Sequence, residues 1–571
     1  MTRTPTLVWL LLVASALGVA SRATAQSAPP AAPSDPLAGP IRSILDAGRH
    51  PSMNWPNLAD VKAASDRLYA ETGGGALWYD GAHPGAPAGA LIEAIVACDT
   101  LGLRPEDFDA KRLTASLRSY GAGATEEKAP SISARARFDA ALTANALRFV
   151  TALARGRIDP AVAGADLFIP RGDFDAAAVV DTLRRAPDAA SVDALLDRIQ
   201  PPHRHYRLLL AALARYRRIG RDTTLVPLPG LPKKLEPGQA YTGSARLRRL
   251  LVALRDLPAG SSGAVALPAG TDTLYDSTLA AGVRSFQERQ GMKPDGVIGG
   301  RTAKSLNRPF ADRVHSIELT LERWRWLPHT FAAPPILVNI PAFRLYAFAR
   351  PDDDETGMLA MSVVVGRAYD TRTPVFSEML DYVVFSPYWE VPPSIYVKEI
   401  RPKARANPSY LASHHYELLR GETVVSATAS NINAIGKGVR VRQTPGEHNS
   451  LGRVKFMLPN PFNVYLHDTP SKSKFEEERR DYSHGCVRVA DPPALAGWAL
   501  SDDSTWTQER ILSAMGGPKP DQVNLRVPRP VFILYGTSVA TQDGRVFFYS
   551  DLYKLDAKLD PLLKRGYPLK K

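Results

Sequence analysis

Val464-Tyr465-Leu466-His467-Asp468-Thr469-Pro470 and, further on, Tyr482-Ser483-His484-Gly485-Cys486-Val487-Arg488-Val489 are the two stretches on which the reading of this chain turns. The first is a β-branched and aromatic run closed by a proline, the pattern of a strand that ends in a turn. The second is a polar turn around Gly485 that carries Cys486. A thiol with an ordinary pKa of about 8.5 is mostly protonated at neutral pH, so it becomes a nucleophile only beside a base, usually an imidazole. Two histidines qualify. His467 ends the strand-like run, where it can be held rigidly while Asp468 orients its other ring nitrogen. His484 is two residues from Cys486, on the same side of an extended segment, but the intervening glycine loosens that geometry. Rigid placement favours His467; spacing leaves His484 open. Gly485, lacking Cβ, lets a substrate carbonyl approach backbone N–H groups that could form an oxyanion hole. Arg488 is placed to anchor a carboxylate or, equally, to brace the turn through an ion pair.

Working outward, the same strand chemistry recurs at 336–340, 363–365, 382–385 and 531–535, each run bounded by Gly, Pro or Asp. Asp543-Gly544 reads as a hairpin turn. From Arg313 onward the periodicity changes from helical to strand-like, which predicts an all-β catalytic domain over 313–550. Residues 394–450 are less strand-like and read as an inserted lid. Residues 551–571 are left as a C-terminal tail.

Upstream the pattern is helical. Over 243–308, Leu279, Val283 and Phe286 have helical spacing, Gly291 ends that helix, and Asp295-Gly296 makes a turn before a second short helix at 302–306. Pro227, Pro229, Pro232 and Pro237 separate this unit from a larger helical one, 41–225. There, Phe138, Leu142, Phe149 and Leu153 share one helix face until Gly156 and Asp159-Pro160 stop it. Residues 206–218 form a basic amphipathic helix, read as a solvated surface face. Residues 26–40 are a Pro/Ala linker. Thr2-Arg3, the uncharged apolar run 7–20 and Ala23-Thr24-Ala25 make 1–25 a cleavable secretory signal, too short to span a bilayer comfortably.

The chain has 571 residues, 44% hydrophobic and 23% charged, and a net charge of +13, the composition of a folded multidomain protein that favours acidic partners. Its basic residues are dispersed and match no nucleic-acid-binding signature, which argues against a DNA or RNA role. No later stretch is apolar enough for a membrane span. Two cysteines in an exported chain suggest a disulfide. However, Cys98 ends the apolar run 91–98, which reads as a buried helix face, and Cys486 lies in a polar turn, so the pairing is disfavoured. Ser471-Lys472-Ser473-Lys474 formally fits S-x-x-K, but its companion motifs are missing. His203-Arg204-His205 and His414-His415 lack neighbours at metal-ligand spacing.

Two resemblances organise these observations. Ala281-Gly282-Val283-Arg284-Ser285-Phe286-Gln287 followed by Pro294-Asp295-Gly296-Val297-Ile298-Gly299 resembles the three-helix peptidoglycan-binding module. The His467 and Cys486 stretches resemble the signature of the L,D-transpeptidases, with their YkuD-type catalytic fold. The wider match is to the large Gram-negative subgroup that adds a scaffold domain and a peptidoglycan-binding module. It is supported by stretches 321–328, 339–343, 387–389 and 451–456. This resemblance implies a multidomain α+β chain: a helical scaffold, a small helical module and a β-rich, sandwich-like catalytic domain whose 394–450 insertion caps the substrate.

It also implies Cys486 as nucleophile, His467 as general base and Asp468 as the residue whose carbonyl steadies that histidine. Ser483, His484 and Gly485 belong to the catalytic loop, with the N–H groups of Gly485 and Cys486 as oxyanion donors. Arg488, Tyr482, Trp389 and Tyr465 are candidate substrate-binding residues. The implied partners are peptidoglycan stem peptides, as donor and acceptor, and wall-synthesis proteins. The implied place is the periplasm, and no metal or organic cofactor is required. A cysteinyl thioester would pass to a neighbouring stem as a 3→3 cross-link. Trimming by hydrolysis, attachment of another protein to the wall, and a non-catalytic wall-binding scaffold are the alternatives.

Overall fold

The computed structural model describes residues 35–120, 130–258, 260, 273–350 and 357–567, so the expected signal segment lies outside the described residues. The expected linker ends earlier than 40. Leu37, Ile41 and Leu45 are spaced to share a helix face, and all three are buried where the helix Ala38–Asp46 begins the scaffold. Around the long helix Ile132–Arg155 the scaffold packs Phe138, Leu142, Phe149 and Leu153 against Leu91, Ile95 and Cys98. Ser131 caps that helix by accepting from the Ala134 N–H, and Gly156, at φ +79°, ends it. The helices Ser244–Ala253, Ser277–Arg289 and Gly300–Leu306 form the small module.

The catalytic region is β-rich, as expected, and its sandwich-like layering comes from one sheet folding over on itself. The strands run Val454–Met457, Leu466–His467, Val487–Val489, Leu359–Gly366, Arg344–Ala347, Ile336–Asn339, Asp521–Leu534 and Val375–Phe385. The last of these pairs back onto Val454–Met457, so the path closes. Closure removes exposed edges and surrounds a core that includes Val338, Leu345, Val363, Val383, Leu466, Val487 and Ile533.

Three expectations need correction. The region after 313 is not all-β: the helix Phe310–Trp324 precedes the first strand, and Pro492–Ala499 and Gln508–Met515 are also helical. Ile317 and Leu321, one turn apart, belong to that helix's buried apolar stripe. Second, the basic helix Arg204–Ile219 is not a solvated face. Its Tyr206, Leu209, Leu213 and Tyr216 share one core with Ile317 and Leu321, with Leu247, Leu279 and Phe286 of the module, and with Val546 and Phe548. Third, 551–571 is not a loose tail over its described part. It contains the helix Leu555–Leu563 and ends with Tyr567 beneath the guanidinium groups of Arg148 and Arg157 in the scaffold.

The scaffold and catalytic region interlock. The scaffold strand Ala165–Leu167 pairs in parallel with Val375–Phe385. Glu322, 1% exposed, takes the Arg157 and Ile158 N–H groups on Oε1 at 2.6 and 2.8 Å. Glu322→Ala strands both donors in the interior and is expected to lower stability by roughly 2–5 kcal/mol. Glu322→Gln keeps Oε1 and should cost less than half as much. Thermal unfolding of the full chain checks this, and an alanine variant as stable as the wild type would refute the clasp.

Candidate active site

Parallel pairing of Leu466–His467 with Val487–Val489 builds the site, with Leu466 opposite Val487 and His467 opposite Arg488. The Val487 N–H donates to the Tyr465 carbonyl at 3.0 Å, which carries the register back to Tyr465 and Cys486. Leu466 and Val487 are fully buried in the catalytic core. Because side chains alternate along a strand, Tyr465, His467, Cys486 and Arg488 share the other face. The His467 and Cys486 stretches therefore meet side by side.

His467 is 4% exposed. Its Nδ1 lies 2.5 Å from the Asp468 carbonyl, so Nδ1–H donates there and Nε2 is left as the acceptor. Burial, helped by the charge of Arg488, holds this imidazole down at about 3, so it is neutral across the physiological range. The Asp468 carboxylate has a separate task. It accepts from the Arg453 N–H at 2.9 Å, the Thr469 N–H at 2.6 Å and Lys472 Nζ at 2.6 Å. Gly452, at φ +60°, passes so close that a Cβ there would strike this carboxylate.

Cys486 is half-buried and unpaired, as is the fully buried Cys98. Its Sγ contacts the Asn463 carbonyl at 3.6 Å. Burial pushes the thiol above its ordinary value, against the opposing pull of hydrogen bonds from Tyr465 and the charge of Arg488. The Tyr465 ring stands edge-on to His467 at 5.7 Å. The resting site is thus a neutral thiol beside a neutral imidazole. Alkylation of Cys486 by iodoacetamide should accordingly keep accelerating up to pH values above about 8.5. A rate that levels off near pH 6 would instead indicate a standing thiolate–imidazolium pair.

The loop before Cys486 is tied down from two sides. Gly485 adopts φ +121°, open to glycine, and its carbonyl accepts from Thr373 Oγ1 at 2.7 Å. Ser483 Oγ accepts the Gly485 N–H at 3.1 Å and donates to the Cys486 carbonyl at 2.5 Å. This corrects one expectation. The Gly485 N–H is already engaged, whereas the Cys486 N–H has no acceptor among the described residues and is the donor free for an oxyanion. Tyr482 is half-buried beside Lys474, whose Nζ lies 4.7 Å from the ring centroid.

The insertion has its own sheet, which includes Tyr416–Arg420, Arg440–Gln443 and Trp389–Glu390, and its own core around Tyr396, Leu411, Leu418 and Val441. Trp389 pairs with Gln443 and packs near Tyr416, at the root of the insertion. His484 reaches the insertion too: its Nε2 lies 2.6 Å from Oε1 of Glu399. Thr373, Asn463 and Glu399 are neighbours that sequence reasoning missed. Each meets the cysteine loop only through long-range folding, and none stands in a local motif.

A cysteine and a buried histidine on neighbouring strands, with an unengaged N–H beside the sulfur, define a cysteine acyl-transfer type of site. The comparisons are specific about its class. Residues 334–531 match the L,D-transpeptidase catalytic domain family YkuD, residues 63–213 the "Scaffold domain", and residues 253–306 the "Putative peptidoglycan binding domain". A Haemophilus influenzae protein named "Putative L,D-transpeptidase" is 32% identical over 228 residues, which are 39% of this chain and 45% of that relative. The chain thus spans somewhat under half the length of the curated relative it matches. It carries a YkuD-family L,D-transpeptidase catalytic domain together with a scaffold domain and a peptidoglycan-binding domain.

Proposed function

We propose that this chain is an exported peptidoglycan L,D-transpeptidase that acts in the periplasm, forming 3→3 cross-links through a thioester on Cys486. The observation that carries this reading is the shared sheet face of Cys486 and His467 inside the YkuD-matching region. As Sγ bonds to the carbonyl carbon of the third stem residue, its proton passes to Nε2 of His467. The Cys486 N–H receives the developing oxyanion. Collapse breaks the amide bond to the terminal D-alanine, and His467 returns the proton to that leaving amine. The side-chain amine of a second stem then attacks the thioester, giving its proton to His467. Sγ leaves and recovers the proton. The histidine is restored at each half-reaction, which divides one difficult amide exchange into two easier steps.

Two further features support the reading. Asp468 keeps His467 in the tautomer the mechanism needs. The His484–Glu399 contact holds the insertion against the cysteine loop, where it would limit water and favour an amine acceptor. Residues 1–25 as an export signal and the peptidoglycan-binding region fit an acceptor in the wall. Incubated with disaccharide-tetrapeptide, the purified protein should yield cross-linked dimers by mass spectrometry. Tripeptide product alone would replace cross-linking with trimming.

A further inference from the structure

A cavity of about 530 Å³, open on one side, lies where the helix Arg204–Ile219, the module, the helix Phe310–Trp324 and the catalytic sheet meet. Its walls include neither Cys486 nor His467, Tyr465 or Arg488. Its volume falls in the range of about 300–1,000 Å³ usual for small-molecule sites. Leu209, Trp324, Leu337, Phe348, Met358 and Leu534 make most of the surface apolar.

The polar groups in that wall are unevenly satisfied. Arg323 is paired with Asp556, and Asn339 exchanges hydrogen bonds with Gly536. Arg344 and Arg480 make no ion pair with a described residue. Among the described residues, the Arg344 guanidinium has one long side-chain hydrogen bond, 3.5 Å to Ser362 Oγ. Arg480 donates to the carbonyls of Phe343, Phe475 and Glu477, and its Nε is buried without an acceptor. The two guanidinium groups are close enough that the charge of Arg344, added to burial, depresses Arg480. Ser538, 1% exposed, also turns a buried Oγ with no partner among the described residues. Glu288, on the module side, is the carboxylate of this wall. The Glu476 carboxylate offsets part of this repulsion at Arg480 but forms no ion pair with either guanidinium, so two adjacent like charges beside an apolar chamber favour an anion that joins them.

We propose that this cavity binds a single-chain amphiphile whose anionic head, a carboxylate or a phosphate, lies on Arg344 and Arg480 while its chain fills the apolar chamber. The occupant is chosen by charge complementarity and by the largely apolar, aromatic lining. Because Trp324 and Trp326 belong to the wall, binding is read from tryptophan fluorescence of the full chain and confirmed by calorimetry.

Dodecanoate and dodecyl phosphate should each bind saturably at one site. Binding of both supports the shared chemistry, and binding of one alone identifies which head group is taken. Ala360→Trp, at an exposed position of the wall, should fill the chamber and weaken both ligands at least tenfold. Arg344→Gln, which removes only one weak internal contact, should weaken the anionic ligands at least tenfold and leave dodecanol unaffected. Inorganic phosphate or acetate binding as tightly as the amphiphiles would overturn the proposal, as would dodecanol matching dodecanoate. So would saturable binding that Ala360→Trp leaves intact, or no binding at all.

Discussion

Exposed to a carbapenem, the wild-type protein should gain the mass of one drug molecule, and the Cys486→Ala variant should gain none. The β-lactam carbonyl mimics the acyl donor, so it reports the acylation half-reaction without an acceptor. Two thiols are present, and they differ in kind. Cys98 is 0% exposed in the scaffold core, and burial drives its thiol far above the ordinary range. Cys486 is half-buried on the face it shares with His467, with an unengaged N–H at its own backbone. Only the second can meet a substrate. Removing a covalent nucleophile costs on the order of 10⁴-fold or more, so cross-linking by Cys486→Ala should fall below detection. A mass adduct on that variant, with dimer formation retained, would refute the assignment.

His467→Ala should lower the acylation rate by roughly 10²–10⁴-fold, the range expected when a positioned general base is lost. His484→Ala should cost less than about tenfold under the same principle, because its ring is committed to Glu399 of the insertion. Carbapenem acylation followed by stopped-flow mass change separates the two. Near-normal acylation by His467→Ala, together with collapse in His484→Ala, would move the base to His484. The structural reason to expect otherwise is the tautomer. Asp468 takes Nδ1–H of His467, which leaves Nε2 as the acceptor, and burial keeps that nitrogen unprotonated down to about pH 3. His467 therefore imposes no acid limb near the usual histidine value of about 6.5, and the alkaline rise belongs to Cys486.

Much of this was legible from local patterns. The β-branched run before His467 and the turn around Gly485 describe a strand and a tight loop without further help, because side-chain shape and the freedom of glycine act over a few residues. The heptad-like spacing of Phe138, Leu142, Phe149 and Leu153 likewise marks a buried helix face. The helix Phe310–Trp324 is not legible in the same way, because the partners that bury its apolar side come from the helix Arg204–Ile219 and the module.

By itself, the sequence determined the chemistry available: one thiol in a glycine-hinged loop, two histidines that could serve it, and β-branched and aromatic strand runs around them. Only the tertiary structure decided how these parts are used. The placing of His467 on the same face as Cys486 follows from parallel register between segments far apart along the chain. The engagement of Gly485 by Ser483, the reach of His484 to Glu399, and the chamber beneath the module follow from packing between distant segments. Propensity and periodicity are local quantities. Which nitrogen, N–H or guanidinium is left without a partner depends on contacts between residues far apart in the chain, and those are set only when the sheet closes and the domains dock.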